Sequence, residues 1–99
     1  MIRSVEEIIE KMTDQINRSG LPYSSWYVGI ASEPKQRLFA EHKVAENGTW
    51  LHVNAGSNEA ARNILNHLVK KLQTEGGGGS DEPAMTHVYA YAITSTTVE

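Results

Sequence analysis

The sequence predicts an α/β fold in which a small three-stranded sheet is flanked by three helices, in the chain order α-β-α-β-α-β. Two observations lead to this fold class. Segments with apolar residues at helical spacing alternate with segments rich in β-branched and aromatic residues. The chain has 99 residues and is 39% apolar, which suffices for one hydrophobic core but not for two. We therefore expect residues 1–99 to form a single domain.

The first helix has signals at both of its ends. Ser4 and Glu7 form a capping box, in which each side chain satisfies a backbone N–H at the helix start. Gly20, followed closely by Pro22, is typical of a helix end. Between these signals, the apolar residues that recur on one face are Val5, Ile8, Ile9, Met12 and Ile16.

The second and third helices are predicted from the same kinds of signal. Ser32 caps the second helix, Pro34 suits its first turn, and Leu38 and Phe39 supply its apolar contacts. The third helix begins at Ser57 or Asn58. The buried stripe of this third helix consists of Ala61, Ile64, Leu65, Leu68 and Leu72.

Three segments predict strands: SSWYVGIA before the second helix, TWLHVNA before the third, and THVYAYAIT near the end of the chain. The last strand has apolar residues on both faces, which favours a central position in the sheet. Residues 74–84 are predicted to form a glycine-rich flexible loop, and residues 95–99 a frayed tail. On the last strand, Val88, Ala90 and Ala92 are expected on one face, with Tyr89, Tyr91 and Ile93 on the other.

Composition restricts the function classes. The chain has no cysteine, so it has no disulfide and no thiolate metal site, which fits a reducing compartment. It has no apolar run of membrane-spanning length and no apolar signal-peptide core, so we expect a cytoplasmic protein. The net charge of −3 disfavours nucleic acid as a partner. A core this small would gain stability from a bound ligand or from a homodimer.

The stretch WYVGIASEPKQRLFAEH, residues 26–42, carries the residues best suited to chemistry. Gly29 would let a ligand or another backbone approach the strand closely. Arg37 and His42 are five positions apart, about 140° around an α-helix, so they would flank a pocket rather than stack. Without a site, Arg37 is a solvated or ion-paired residue and His42 simply ends the helix. His52 and His87 are expected to be cross-strand neighbours, with no metal-ligand spacing around them.

This stretch resembles the core of the GIY-YIG superfamily, through Tyr27-Val28-Gly29, Pro34, Arg37-Leu38 and His42. The resemblance implies a phosphodiester-cutting site in which the tyrosines and the arginine position a phosphate and the attacking water. It also implies a glutamate on the following helix that holds Mg²⁺ or Mn²⁺. Leu65 stands at that position, and leucine cannot bind a hard cation.

The first, Gly-Ile-Tyr half of the family pattern is also missing ahead of Tyr27. We expect the last strand to take its place, with Tyr89 or Tyr91 supplying the phenol.

The resulting hypothesis is a non-catalytic binding module with no metal and no cofactor. Its ligand would be a small anion, such as a nucleotide or a nucleotide-derived signal, or a protein partner. The alternative is a metal-dependent endonuclease acting on DNA or RNA, with Tyr27, Arg37 and His42 as catalytic residues. The ligand-binding residues would be Tyr27, Gly29, Arg37, His42, Tyr89 and Tyr91.

Overall fold

The computed structural model describes residues 5–44, 48–71, 73–76, 84–94 and 97. It confirms a small mixed α/β domain with three helices. No helix in this part of the chain is long and apolar enough to cross a membrane. The elements are α1 (Val5–Arg18), β1 (Trp26–Ala31), α2 (Pro34–Gln36, continued by a π-helical segment, Arg37–Glu41), β2 (Trp50–Asn54), α3 (Asn58–Lys71), β3 (Glu75–Gly76) and β4 (His87–Ala92).

The sheet has four strands in the order β2-β4-β1-β3, so the prediction of three strands is wrong by one. Strand β4 lies between β2 and β1 and is antiparallel to both, as expected for a central strand. The additional strand, β3, pairs in parallel with Tyr27 and Val28 of β1 and falls at the start of the predicted loop. Two residues are too few to show a period-two pattern, which is why the sequence does not reveal this strand.

Gly76 explains how β3 can lie so close to β1. Its φ of 140° is rare for a residue with a side chain, and a Cβ at this position would overlap the carbonyl oxygen of Val28. The rest of the predicted loop, 77–83, lies outside the described residues, as does all of the predicted tail except residue 97. Ser4 of the predicted capping box and Leu72 of the predicted third-helix stripe also lie outside the described residues.

One face of the sheet is covered by α1 and α3. Along β1 this face receives Trp26, Val28 and Ile30, and along β4 it receives the three residues that the alternation predicts. Burial of these side chains together with the helix stripes supplies the main hydrophobic stabilisation of the domain. The buried residues of this main core are Ile8, Met12, Ile16, Trp26, Val28, Ile30, Ala55, Ala61, Ile64, Leu65, Leu68, Val88, Ala90 and Ala92.

The opposite face of the sheet is covered by α2 and its π-helical continuation. Leu38 from this segment is fully buried against Tyr89 and Tyr91 of β4. The chain then turns at Lys43, whose φ of 59° is left-handed, and the Val44 N–H donates to the Leu38 carbonyl at 2.9 Å. This turn brings Val44 into a second buried cluster, which also contains Ala31, Leu38, Tyr89 and Tyr91, and it holds His42 over the sheet.

Candidate functional site

Four aromatic side chains meet on the sheet face below the π-helical segment. We call Tyr27, His42, Tyr89 and Tyr91 the Tyr–His cluster. The His42 ring lies between the tyrosines, with ring-centroid distances of 4.9 Å to Tyr27, 5.5 Å to Tyr89 and 5.1 Å to Tyr91. Tyr27 and Tyr91 are direct cross-strand partners, and their rings stack at 5.3 Å. Three of the four are buried, and Tyr27 is half-buried.

Both ring nitrogens of His42 face tyrosine hydroxyls. Nε2 lies 2.8 Å from the Tyr89 Oη, and Nδ1 lies 3.1 Å from the Tyr91 Oη. Each ring nitrogen therefore has a hydroxyl partner, and the tautomer of the ring decides which group of each pair donates. These contacts satisfy polar groups that are costly to bury alone, and they fix the orientation of the ring.

Gly29 creates the space in which the Tyr89 hydroxyl lies. A Cβ at Gly29 would stand 2.5 Å from the Tyr89 Oη and 2.6 Å from its Cζ. The two residues are cross-strand partners on β1 and β4, so the phenol crosses directly over the glycine. In this structure the phenol of Tyr89 occupies the space above Gly29 and reaches His42 from it.

The segment that carries Arg37 and His42 is a π-helix, and this changes their expected arrangement. The His42 N–H donates to the Arg37 carbonyl at 2.9 Å, an i→i+5 hydrogen bond. The prediction of about 140° between the two side chains assumed α-helical geometry and is wrong for this segment. In a π turn, the residue five positions on lies roughly beneath the first, and such turns often occur at functional sites.

Arg37 lies at the solvent side of the cluster. Its Nε is 3.4 Å from a carboxylate oxygen of Glu41, and 36% of its side chain is exposed. Together with Ser32, Glu33, Gln36, Glu41 and Met85 it lines a surface cavity of about 220 Å³. The ligand-binding residues predicted from the sequence do not include Glu41, although the i, i+4 spacing of Arg37 and Glu41 was a usable signal.

The Tyr89 hydroxyl experiences the charges of the surrounding site. Burial raises its pKa above the usual value of a phenol, and the neighbouring Tyr27 raises it further. The Arg37 guanidinium opposes this rise in pKa, whereas the Glu41 carboxylate adds to it. Tyr89 is therefore a neutral phenol at physiological pH, able both to donate and to accept a hydrogen bond.

The structure brings four of the six predicted ligand-binding residues into direct contact and places the other two at the margins of the cluster. Tyr27, His42, Tyr89 and Tyr91 form one cluster with Gly29 beneath it, while Arg37 stands at its rim. Leu65 is buried in the main core, on the face of the sheet opposite to this cluster. No group of three or more His, Asp or Glu residues suited to a metal ion occurs in the described part of the chain.

His52 and His87 are neighbours, as expected for two residues on adjacent strands. Their ring centroids are 6.5 Å apart, and the His52 ring is stacked on Trp50 at 6.0 Å. His87 begins β4, and His52 on β2 is the cross-strand partner of Tyr89, so the two histidines lie beside the Tyr–His cluster without belonging to its four rings.

The fold and this site define a class: a small α/β domain with a buried tyrosine–histidine hydrogen-bond network beneath a π-helical segment. Scans against family models, curated proteins and solved structures return no match to the chain.

Proposed function

We propose that this protein is a non-catalytic binding module for a small phosphate-bearing ligand of the nucleotide class, held at the rim of the Tyr–His cluster by Arg37. The observation that carries the proposal is the convergence on Tyr89. Its hydroxyl is bound to His42, lies over Gly29, and experiences the charges of Arg37 and Glu41. In this proposal, the resemblance to the GIY-YIG superfamily extends to the scaffold but not to the cleavage activity.

Arg37 is the group that would bind the anion. A guanidinium offers paired N–H donors that match two oxygens of one phosphate. Its present partner is Glu41, at 3.4 Å in a half-exposed i, i+4 pair. Such pairs contribute about 0.3–0.5 kcal/mol, so a phosphate can displace the carboxylate at little cost.

The carboxylates beside Arg37 favour a ligand with donors as well as a charge. Glu33 and Glu41 both line the cavity and weaken its attraction for a bare anion. Ribose hydroxyls or exocyclic amino groups would donate to these carboxylates while the phosphate binds Arg37. A nucleotide carries both kinds of group, whereas inorganic phosphate has no ribose hydroxyl and no amino group. Half-buried Tyr27 offers an aromatic ring on which a base could stack.

The placement of the residues favours binding over cutting. Both ring nitrogens of His42 are hydrogen-bonded to tyrosine hydroxyls. His42 could therefore exchange a proton with a substrate only after one of these hydrogen bonds breaks. Position 65 belongs to the main core, so a metal-holding carboxylate there would face away from Arg37. The endonuclease remains the alternative against which the proposal is tested.

Isothermal titration calorimetry tests the proposal directly. The probes are a nucleoside monophosphate, a nucleoside diphosphate and a cyclic dinucleotide, with inorganic phosphate and a free nucleoside for comparison. We expect at least one nucleotide to bind, and Arg37→Ala to weaken its binding by at least about tenfold, equivalent to about 1.4 kcal/mol. Arg37→Lys should recover only part of the affinity, because lysine lacks the paired donors.

Arg18→Ala is the matched control. Arg18 forms an i, i+4 pair with Asp14 at 3.0 Å on α1, away from the site, so its loss removes the same kind of ion pair. Equal effects of the two alanine variants, or no binding of any nucleotide, would refute the small-ligand proposal. Mg²⁺- or Mn²⁺-dependent cleavage of DNA or RNA that is abolished by Arg37→Ala would instead establish the endonuclease.

A further inference from the structure

The strand β2 forms an edge of the described sheet. It pairs with β4 on one side, and the strand order β2-β4-β1-β3 places no described strand on its other side. The five residues Trp50–Asn54 include no charged residue and no proline. Charges, prolines or a covering segment are the usual means by which proteins prevent an edge strand from pairing with another chain. Within β2 itself, such protection is missing.

The hydrogen-bond pattern shows which backbone groups of β2 point outward. The Ala92 N–H donates to the Thr49 carbonyl at 2.9 Å, and the Ala55 N–H donates to the Thr86 carbonyl at 2.8 Å. In an antiparallel ladder, hydrogen-bonded and non-bonded pairs alternate, so Leu51 and Val53 also bond toward β4. The N–H and C=O groups of His52 and Asn54 therefore point to the outer edge.

A groove runs along this edge between β2 and α1. Its volume is about 490 Å³, and its floor consists of the apolar side chains Ile8, Met12, Leu51 and Val53. Lys11 and Gln15 of α1 form its rim. Leu51 and Val53 remain partly exposed, although both pack against the main core. A strand added at this edge would place side chains over the groove.

We propose that β2 pairs with β2 of a second copy of this chain, forming a two-fold symmetric dimer with one continuous eight-stranded sheet. This inference is independent of the proposed nucleotide site. With the axis at His52, Leu51 of one copy lies opposite Val53 of the other on the groove side. The two His52 residues form a hydrogen-bonded pair that contributes two N–H···O=C bonds.

Charge and symmetry favour a second copy over an unrelated peptide. The two-fold axis makes the two α1 helices antiparallel on the same side of the joined sheet. In α1, Lys11 is grouped with Glu7, Glu10 and Asp14 on an exposed surface. An antiparallel copy can bring Lys11 of each helix to a carboxylate of the other, which offsets part of the repulsion between the two acidic helix surfaces. The uncharged β2 adds no like-charge repulsion despite the net charge of −3.

The dimer should weaken on acidification. Around the His52 side chain, the neighbouring groups are His87 on β4, Lys35 on α2 and the stacked Trp50 ring, with Tyr89 as the strand partner. Burial, then His87, then Lys35 lower the pKa of His52, which is therefore neutral at pH 7. Acidification below this lowered pKa charges both His52 rings across the axis, where like charges repel.

Light scattering and sedimentation of the full chain test the dimer. At neutral pH we expect a mass twice the chain's 10.9 kDa, falling toward the single-chain mass under acid. His52→Pro removes the outward N–H that pairs with the second copy, so we expect a monomer. The variant should still fold, because proline is tolerated where the N–H of an edge strand faces solvent. His52→Lys, which places like charges opposite each other, should also give a monomer, while His52→Ala should remain dimeric at neutral pH. Circular dichroism confirms that each variant is folded.

A cross-link tests the register. Hydrogen-bonded antiparallel pairs have Cα atoms about 5.5 Å apart, which suits a disulfide. The chain has no cysteine, so His52→Cys should oxidise to a covalent dimer, while Asn63→Cys on the exposed surface of α3 should not. A single-chain mass at micromolar concentrations would overturn the proposal. A dimer that persists in both His52→Pro and His52→Lys would also overturn it.

Discussion

Gly29→Ala is the sharpest test of the Tyr–His cluster. Gly29 has no positive φ, so alanine can adopt its backbone conformation and any effect comes from the added methyl group. That methyl would stand 2.5 Å from the Tyr89 Oη and 2.6 Å from the Cζ, both far inside van der Waals contact. The Tyr89 ring must therefore move, and it would lose its 2.8 Å hydrogen bond to His42.

The expected magnitude follows from these contacts. A buried polar group left without its partner costs about 1–3 kcal/mol, and an extra methyl in a filled core costs a similar amount. Replacing glycine with alanine reduces the conformational entropy of the unfolded chain, which stabilises the folded protein by about 0.4–1 kcal/mol. We therefore expect a net destabilisation of about 1–5 kcal/mol, compared with the 5–15 kcal/mol typical of a domain.

Urea unfolding followed by circular dichroism measures this loss, and a double-mutant cycle assigns it. In a Tyr89→Leu background the side chain is too short to cross position 29, so Gly29→Ala should cost less than about 1 kcal/mol. Two results would refute the reasoning: a loss below about 1 kcal/mol in the wild-type background, or an equal loss in both backgrounds.

Three further outcomes are expected. Burial and Tyr27 raise the pKa of Tyr89, so its contribution to stability is complete below about pH 10 and is lost as the pH rises further. Tyr89→Phe should therefore show a shallower alkaline decline in urea midpoints than wild type. Lys43 has a φ of 59°, so Lys43→Gly should be neutral or stabilising by up to about 1 kcal/mol and Lys43→Val destabilising, measured by thermal unfolding. Leu65→Glu buries a charge in the main core and should unfold much of the protein, unrelieved by Mg²⁺, whereas Asn66→Glu on the exposed surface should be tolerated.

The Tyr–His cluster and the β2 edge are separate features of one sheet. The cluster lies over β1 and β4, and it is rigid because every ring packs on another and His42 is bound at both nitrogens. The edge lies one strand away, where His52 pairs with Tyr89 in register. Variants at positions 37 and 52 therefore test ligand binding at Arg37 and pairing at β2 separately.

Much of the fold could be predicted because its signals are local. The apolar stripe of α1, the proline that begins α2 and the alternation along β4 are each contained in a few consecutive residues. Such patterns determine which side chains must leave water, so they predicted the three helices and the two faces of the last strand. The residues Tyr27, His42, Tyr89 and Tyr91 were singled out by the resemblance to the GIY-YIG superfamily and not by these local patterns.

The tertiary structure decided what depends on distant contacts. Strand β3 exists because Gly76 can approach Val28, and the purpose of Gly29 appears only when Tyr89 lies across it. The π turn between Arg37 and His42 is formed where Leu38 packs on the β4 tyrosines, and local preference alone predicts an ordinary α-helix there. Leu65 shows the same division. Its helical position was predictable, but the face of the sheet that it covers was not, because strand order and layer assignment are set by packing between residues far apart in the chain.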